Sequence, residues 1–187
     1  VQEAWKGPVE TGEYNEFSRQ RWPGAGRFLE RCEERGIRNV LWQVPIVHPE
    51  SPEYGAAAAL GYFVKDAAGA PRLRKRWMEG FANVDFTDPE AAEFWKDRMR
   101  PLLAHGAIGG FKADDGEDVE PEDWFADGRR GWQLHNEYAA LYARALTELL
   151  DEEGAEGFLW SRSGSLGIEK TPGLWAGDQH ATWEQMA

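Results

Sequence analysis

The stretch "AIGGFKADDGED", residues 107–118, decides the fold. Its first half has the length and composition of a short buried strand, entered from Gly106, which closes the helix-like segment before it. It ends in Lys112 and Asp114, followed at once by Asp115, Glu117 and Asp118. Four acids in five residues repel one another, so the ordinary reading is a solvated loop. A strand that delivers one carboxylate for chemistry is the other reading. The choice depends on what the remaining strands carry at the same end.

Three more short runs behave alike. "NVLWQVP" (39–45) is a buried strand stopped by Pro45, with Gln43 near its end. "GFLWSRSG" (157–164) ends with Arg162, and "GLWAGDQ" (173–179), weakened by its glycines, ends with Asp178. Helical periodicity fills the spaces between. Residues 24–36 put Phe28, Leu29 and Cys32 on one face and stop at Gly36. Asp88 and Pro89 are an N-cap and a first-turn proline. Ala92, Trp95, Met99, Leu102 and Leu103 follow at helical spacing, and Pro101 is predicted to kink the last turn. From Trp132, the residues Leu134, Tyr138, Leu141, Tyr142, Ala145 and Leu149 form an amphipathic stripe that ends before Gly154.

This alternation predicts a parallel α/β arrangement. An open dinucleotide-binding sheet is disfavoured, because "GAG" (24–26) follows Trp22-Pro23 instead of a strand and no Walker-type phosphate loop exists. Polar groups at one end of four different strands are the signature of a (β/α)8 TIM barrel. A full barrel takes ~250 residues, so the 187 residues are read as an incomplete one, a fragment of a single catalytic domain. The start at Val1 and the end on "WEQMA" fit that expectation. Segment 48–87, with "SPEYG" and "DAAGAP", is predicted to be a loop insertion on the active-site side.

Composition narrows the function classes. Hydrophobic residues at 42% and charged residues at 29% describe a soluble globular chain, with no apolar run long enough to span a membrane. A net charge of -12 repels a nucleic-acid backbone, and the one basic cluster, "RLRKRW" (72–77), reads as solvated surface. Cys32 stands alone, and His48, His105, His135 and His180 lack metal-ligand spacing, so neither disulfide, metal nor cofactor is expected. No charged-then-apolar leader is present, which makes the cytoplasm the expected compartment. Ten tryptophans supply broad apolar faces suited to sugar rings as well as to a core.

Asp114 and Asp178 stand apart from the other acids because each follows an apolar run. Two such carboxyl groups are what glycosidic bond cleavage uses, one to attack the anomeric carbon and one to protonate the leaving oxygen. Lys112, two residues before Asp114, shares its face and favours its ionised state. Arg162 is placed to hydrogen-bond a hydroxyl or a carboxylate. The acid has to keep its proton, which an apolar wall such as Trp175 favours. Glu117, Asp118 and Glu120 are expected in a loop, solvated or paired with Arg129 or Arg130.

Taken together and in order, "FKADDGED", "WSRSG" and "WAGDQHATW" resemble glycoside hydrolase family 31, the retaining α-glucosidases and α-xylosidases. "LWQVPIVHPES", "GYFVKDAAG", "VDFTDPEAAEFW" and "HNEYAALYARA" extend the likeness over nearly the whole chain. The resemblance implies a barrel flanked by β-sandwich domains, of which this chain covers roughly the end of strand two to the end of strand six. It implies that Asp114 is the nucleophile and Asp178 the general acid/base. Lys112 and Arg162 would then be sugar ligands, with Trp42 and Trp175 as walls of the cleaved subsite. Gln2 takes the place of an aspartate that binds sugar hydroxyls in the common pattern, and Asp115 stands where many relatives carry a bulky residue. The sulfonate-binding arginine of the family's sulfoquinovosidases is not evident in "GEYNEFSRQRWP" (12–23). The implied partner is an α-linked carbohydrate, with no nucleic acid and no membrane. The isolated fragment is expected to be inactive without its flanking domains. A non-catalytic carbohydrate-binding homologue, a transglycosylase and an α-glucan lyase remain as alternatives on the same site.

Overall fold

The structure, a computed structural model, describes residues 5–6, 16–75, 79–155, 157–171, 173–175, 177–178 and 180–186. In chain order its elements are α1 (Ala25–Glu33), β1 (Asn39–Gln43), β2 (Ile46–Val47), α2 (Tyr54–Leu60), β3 (Leu73–Lys75) and β4 (Glu79–Asn83). Then come α3 (Pro89–Leu103), β5 (Ile108–Ala113), α4 (Gly131–Glu152), β6 (Phe158–Ser161), β7 (Gly173–Leu174) and α5 (Trp183–Met186).

The predicted strands pair side by side and parallel, in the order β1-β5-β6-β7. With the helices between them they form an arc of an unclosed barrel. Trp42 pairs with Lys112, Lys112 with Trp160 and Trp160 with Gly173, so these positions form one row across the sheet. Because side chains alternate along a strand, Asp114, Arg162 and Trp175 follow two residues on and face the same way. The opposite face is mainly apolar, with Gln43 and Ser161 as buried polar groups on it. It takes Trp95, Met99 and Leu102 of α3 and Leu134, Tyr138, Tyr142, Leu146 and Leu149 of α4, all buried. Phe86 stacks on Tyr142 at 5.5 Å and meets Trp95 edge-on at 6.2 Å within this layer.

Local chemistry explains most boundaries. Asp88 caps α3 by accepting from the Glu90 amide at 2.9 Å, and Pro89 occupies the first turn. Pro101 lies within the last turn, and the helix ends two residues later at Leu103. Gly110 has φ 138°, and a Cβ there would lie 2.0 Å from the Phe158 carbonyl oxygen, so only glycine lets β5 approach β6 this closely. The third and fourth runs make shorter strands than expected. Pairing outlasts β6 by one residue, because the Arg162 amide donates to the Ala113 carbonyl at 3.0 Å. Gly177, at φ 100°, turns the chain away before Asp178.

Segment 48–87 holds regular structure: α2, then β3 and β4, which with β2 make an antiparallel sheet in the order β2-β4-β3. Four ties join it to the loop that follows β5. The backbones of Lys65 and Trp124 exchange hydrogen bonds at 3.0 and 2.9 Å. Asn83 Nδ2 donates to the Asp118 carbonyl at 2.9 Å, and the Ala126 amide donates to Asp85 Oδ2 at 2.7 Å. Burial pushes the Asp85 carboxyl up from its usual range, partly offset by hydrogen bonds from Thr87 and Ala126. The fourth tie is Asp123, fully buried, which pairs with Arg72 at 2.6 Å and with Arg74 and accepts from the Glu120 amide at 2.8 Å.

This last tie corrects the reading of the basic cluster as solvated surface. Arg74 is buried and both arginines are ion-paired; residues 76–78 of that cluster lie outside the described residues. Asp123→Ala would leave the buried Arg74 cation without this carboxylate, and breaking a buried pair from one side costs about 3 kcal/mol or more. Denaturant unfolding of the protein should show a loss of that order, while Asp127→Ala, at an exposed carboxylate, should cost under about 1 kcal/mol.

Candidate active site

Asp114 is placed by the sheet itself. Its amide donates to the Gln43 carbonyl at 2.8 Å, which carries the β1–β5 pairing past the strand end. Among the described residues its carboxylate meets donors and cations. Oδ2 accepts from Trp42 Nε1 at 2.7 Å and lies 3.9 Å from Lys112 Nζ. Oδ1 accepts from the Asp115 amide at 2.9 Å and lies 3.0 Å from Arg162 Nη1.

Arg162 is the hub of the cluster. Its Nη2 donates to Asp115 and, at 2.6 Å, to Glu117 Oε1. Its Nη1 faces Asp114 and lies 3.9 Å from Asp178 Oδ2. Burial works against the guanidinium charge. The carboxylates around it, Asp114 first, then Glu117 and Asp115, outweigh that effect and raise Arg162 above its ordinary range. Asp178 is 77% exposed at the rim. Its Oδ2 and Asp114 Oδ1 share one nitrogen as neighbour, which caps their separation at about 7 Å. That ceiling accommodates the ~5–5.5 Å of a retaining pair.

Aromatic rings line the same face. Lys112 Nζ sits 4.7 Å above the Trp175 ring, and Trp175 meets Trp160 edge-on at 5.2 Å. Trp42 is held from behind. Trp5 Nε1 donates to the Trp42 carbonyl at 3.0 Å, and Lys6 Nζ lies 5.1 Å from the Trp42 ring. Lys6 is buried and donates to Gln43 Oε1 at 2.8 Å; burial, with a smaller push from Arg98, lowers it well below the usual lysine range.

The structure thus brings together Asp114, Lys112, Arg162, Trp42, Trp175 and Asp178. Gln2 lies outside the described residues. Gln43 does not join the row: one residue out of step with Trp42, it faces the opposite side and binds Lys6. Glu117 pairs with Arg162 and not with Arg129 or Arg130. Arg129 instead binds Asp127 at 2.6 Å and Glu137, and Arg130 stacks on Trp124 at 3.9 Å. The expectation of Glu117 as a loop acid with those partners is therefore corrected. Trp160 joins the site without any motif that singles it out, although its spacing of two from Arg162 marks it for the same face.

Carboxylates, cations and indole rings at the carboxyl ends of neighbouring parallel strands define a barrel of the glycosidase class. Residues 3–187 match the model of the "Glycosyl hydrolases family 31 TIM-barrel domain", and the chain belongs to that family. It is 33% identical over 175 residues to an alpha-xylosidase of Emericella nidulans, covering 92% of this chain and 22% of that protein. It is 33% identical over 171 residues to a 1,3-alpha-isomaltosidase of Kribbella flavida, covering 87% and 24%. A cycloalternan-degrading enzyme from Trueperella pyogenes, solved with a covalent intermediate, superimposes with a TM-score of 0.78 at 34% identity, covering 87% of this chain and 24% of that one. The chain thus spans about a quarter or less of these relatives.

No helix among the described residues is long and apolar enough to cross a membrane. The Trp42 contact yields a direct test. Trp42→Phe keeps a ring over Lys6 and removes the N–H to Asp114. A hydrogen bond to a charged group is worth about 1.5–3 kcal/mol, so denaturant unfolding of the variant should show a loss of up to about that size, with the far-ultraviolet spectrum unchanged.

Proposed function

We propose that this chain forms the catalytic face of a retaining α-glycosidase acting on α-glucosides or α-xylosides. The observation that carries the proposal is the convergence of Asp114, at the end of β5, and Asp178, in the segment after β7, on the single Nη1 of Arg162. Asp114 is the nucleophile. It attacks the anomeric carbon as the bond to the leaving oxygen breaks, and Asp178 gives that oxygen its proton. In the second half Asp178 takes a proton from water, the water oxygen attacks the same carbon, and Asp114 is released.

The other residues hold the reacting groups in line. Trp42 and the Asp115 amide fix the rotation of the Asp114 carboxylate, and Lys112 and Arg162 balance its charge. The rings of Trp42, Trp160 and Trp175 are the walls against which a pyranose stacks. The sheet formed by 46–47, 73–75 and 79–83 would border further subsites. The Trueperella pyogenes relative supports the scheme, since a covalent intermediate is the species it requires. A second reading has its own support: an isomaltosyltransferase of Sporosarcina globispora is 30% identical over 173 residues, covering 87% of this chain and 16% of that protein. Transfer differs only in that a sugar hydroxyl replaces water in the second half.

The full-length protein should hydrolyse aryl α-glucosides or α-xylosides with retention at the anomeric carbon, read by proton NMR of the first-formed sugar. Asp114→Ala should lower turnover by at least about a thousand-fold, since removing a nucleophile leaves only binding and charge stabilisation. First-formed product of inverted configuration, or an Asp114→Ala variant at parental rate, would overturn the assignment. Adding a free sugar acceptor separates hydrolysis from transfer.

A further inference from the structure

We infer that Asp115 is a positioning residue that aims Arg162 at the two reacting carboxylates, an inference that rests on the function proposed above. The position of Asp115 is unusual on three counts. It is buried, at 3% exposure, although it is an acid next to another acid. It is the only non-glycine described residue with positive φ, at 57°. Finally, each of its polar groups is engaged by a different part of the cluster. Its amide donates to Asp114 Oδ1 at 2.9 Å, its carbonyl accepts from Ser163 Oγ at 2.6 Å, and its carboxylate accepts from Arg162 Nη2.

The left-handed backbone makes this combination geometrically possible. In an extended strand Asp115 would point to the face opposite Asp114. The positive φ, which aspartate tolerates better than most residues, breaks that alternation and turns the Asp115 carboxylate toward Arg162. The Ser163 hydroxyl then locks the turn to the chain one residue past the arginine.

The consequence falls on the guanidinium. A planar fork has fixed directions for its hydrogens. Nη2 carries two, and Asp115 and Glu117 take them. With Nη2 anchored at two points the plane of the fork is set, and Nη1 can only face Asp114 at 3.0 Å and Asp178 at 3.9 Å. Glu117 alone, a longer and more exposed side chain on a single oxygen, would leave the fork free to pivot about that contact. Asp115 therefore acts on the reaction through Arg162 and touches no substrate itself. Arg162 sits between groups whose charge changes during the reaction, so its aim matters to turnover more than to ground-state binding.

Two variants separate the carboxylate from the backbone turn. Asp115→Asn keeps size and left-handed tolerance and removes the charge; Asp115→Gly keeps the turn and the amide and removes the side chain. In the full-length protein, both should lower kcat by about ten-fold or more with KM changed less than about three-fold, as misdirection without loss of binding predicts. Crystal structures should show Arg162 Nη1 displaced from Asp114 in Asp115→Gly, where no side-chain acceptor remains, with the residue-115 amide still on Asp114. Parental kcat in both variants, or an Arg162 still at its place in Asp115→Gly, overturns the inference. A parent protein inactive on aryl α-glycosides would refute the glycosidase reading instead, and the position of Arg162 in the variant structures would still decide the role of Asp115.

Discussion

One guanidinium makes the site possible. Residues 114–118 place three carboxylates, Asp114, Asp115 and Glu117, around a single cation, and their mutual repulsion would otherwise open the loop. Arg162 comes from the next strand, carried past the end of β6 by its own backbone bond to Ala113. Sheet pairing and charge pairing therefore fix the same geometry twice. The parallel register puts the arginine beside the acids, and the acids hold the arginine at the mouth of the arc.

This explains why the interior rows combine indole rings with charge. Lys112 lies over Trp175 and within reach of Asp114, and Lys6 lies against Trp42. The two lysines do different work. Lys112 faces the cluster, whereas Lys6 lies behind Trp42, buried and lowered, as a strut for the ring that donates to Asp114.

Much of the arc was legible in the sequence because its signals are local. Strand ends, the Asp88 cap and the α4 stripe each depend on neighbours within a few residues. The shared face of Lys112 and Asp114 follows from counting by two, and the same count from Arg162 marks Trp160. What could not be read depends on contacts between distant segments. Gln43 looks like a site residue until register shows it one step out of phase. Glu117 has Arg129 and Arg130 as nearer arginines in sequence, while its partner lies 45 positions away. Arg72 and Arg74 look like surface charge because the buried Asp123 that receives them is about fifty residues distant. Asp115 broke the alternation rule itself, and a positive φ at a non-glycine residue has no reliable sequence signal.

The ties between segment 48–87 and the loop after β5 bear on how such a domain can be remodelled. Asp123, Asp85, Asn83 and the Lys65–Trp124 backbone pair belong to one continuous body, although they come from two separate stretches of chain. The antiparallel sheet is consequently not an exchangeable cassette. Grafting the corresponding segment of a relative onto this barrel would strand a buried aspartate unless residues 118–126 travelled with it. In engineering terms, the unit of inheritance at this rim is the pair of segments.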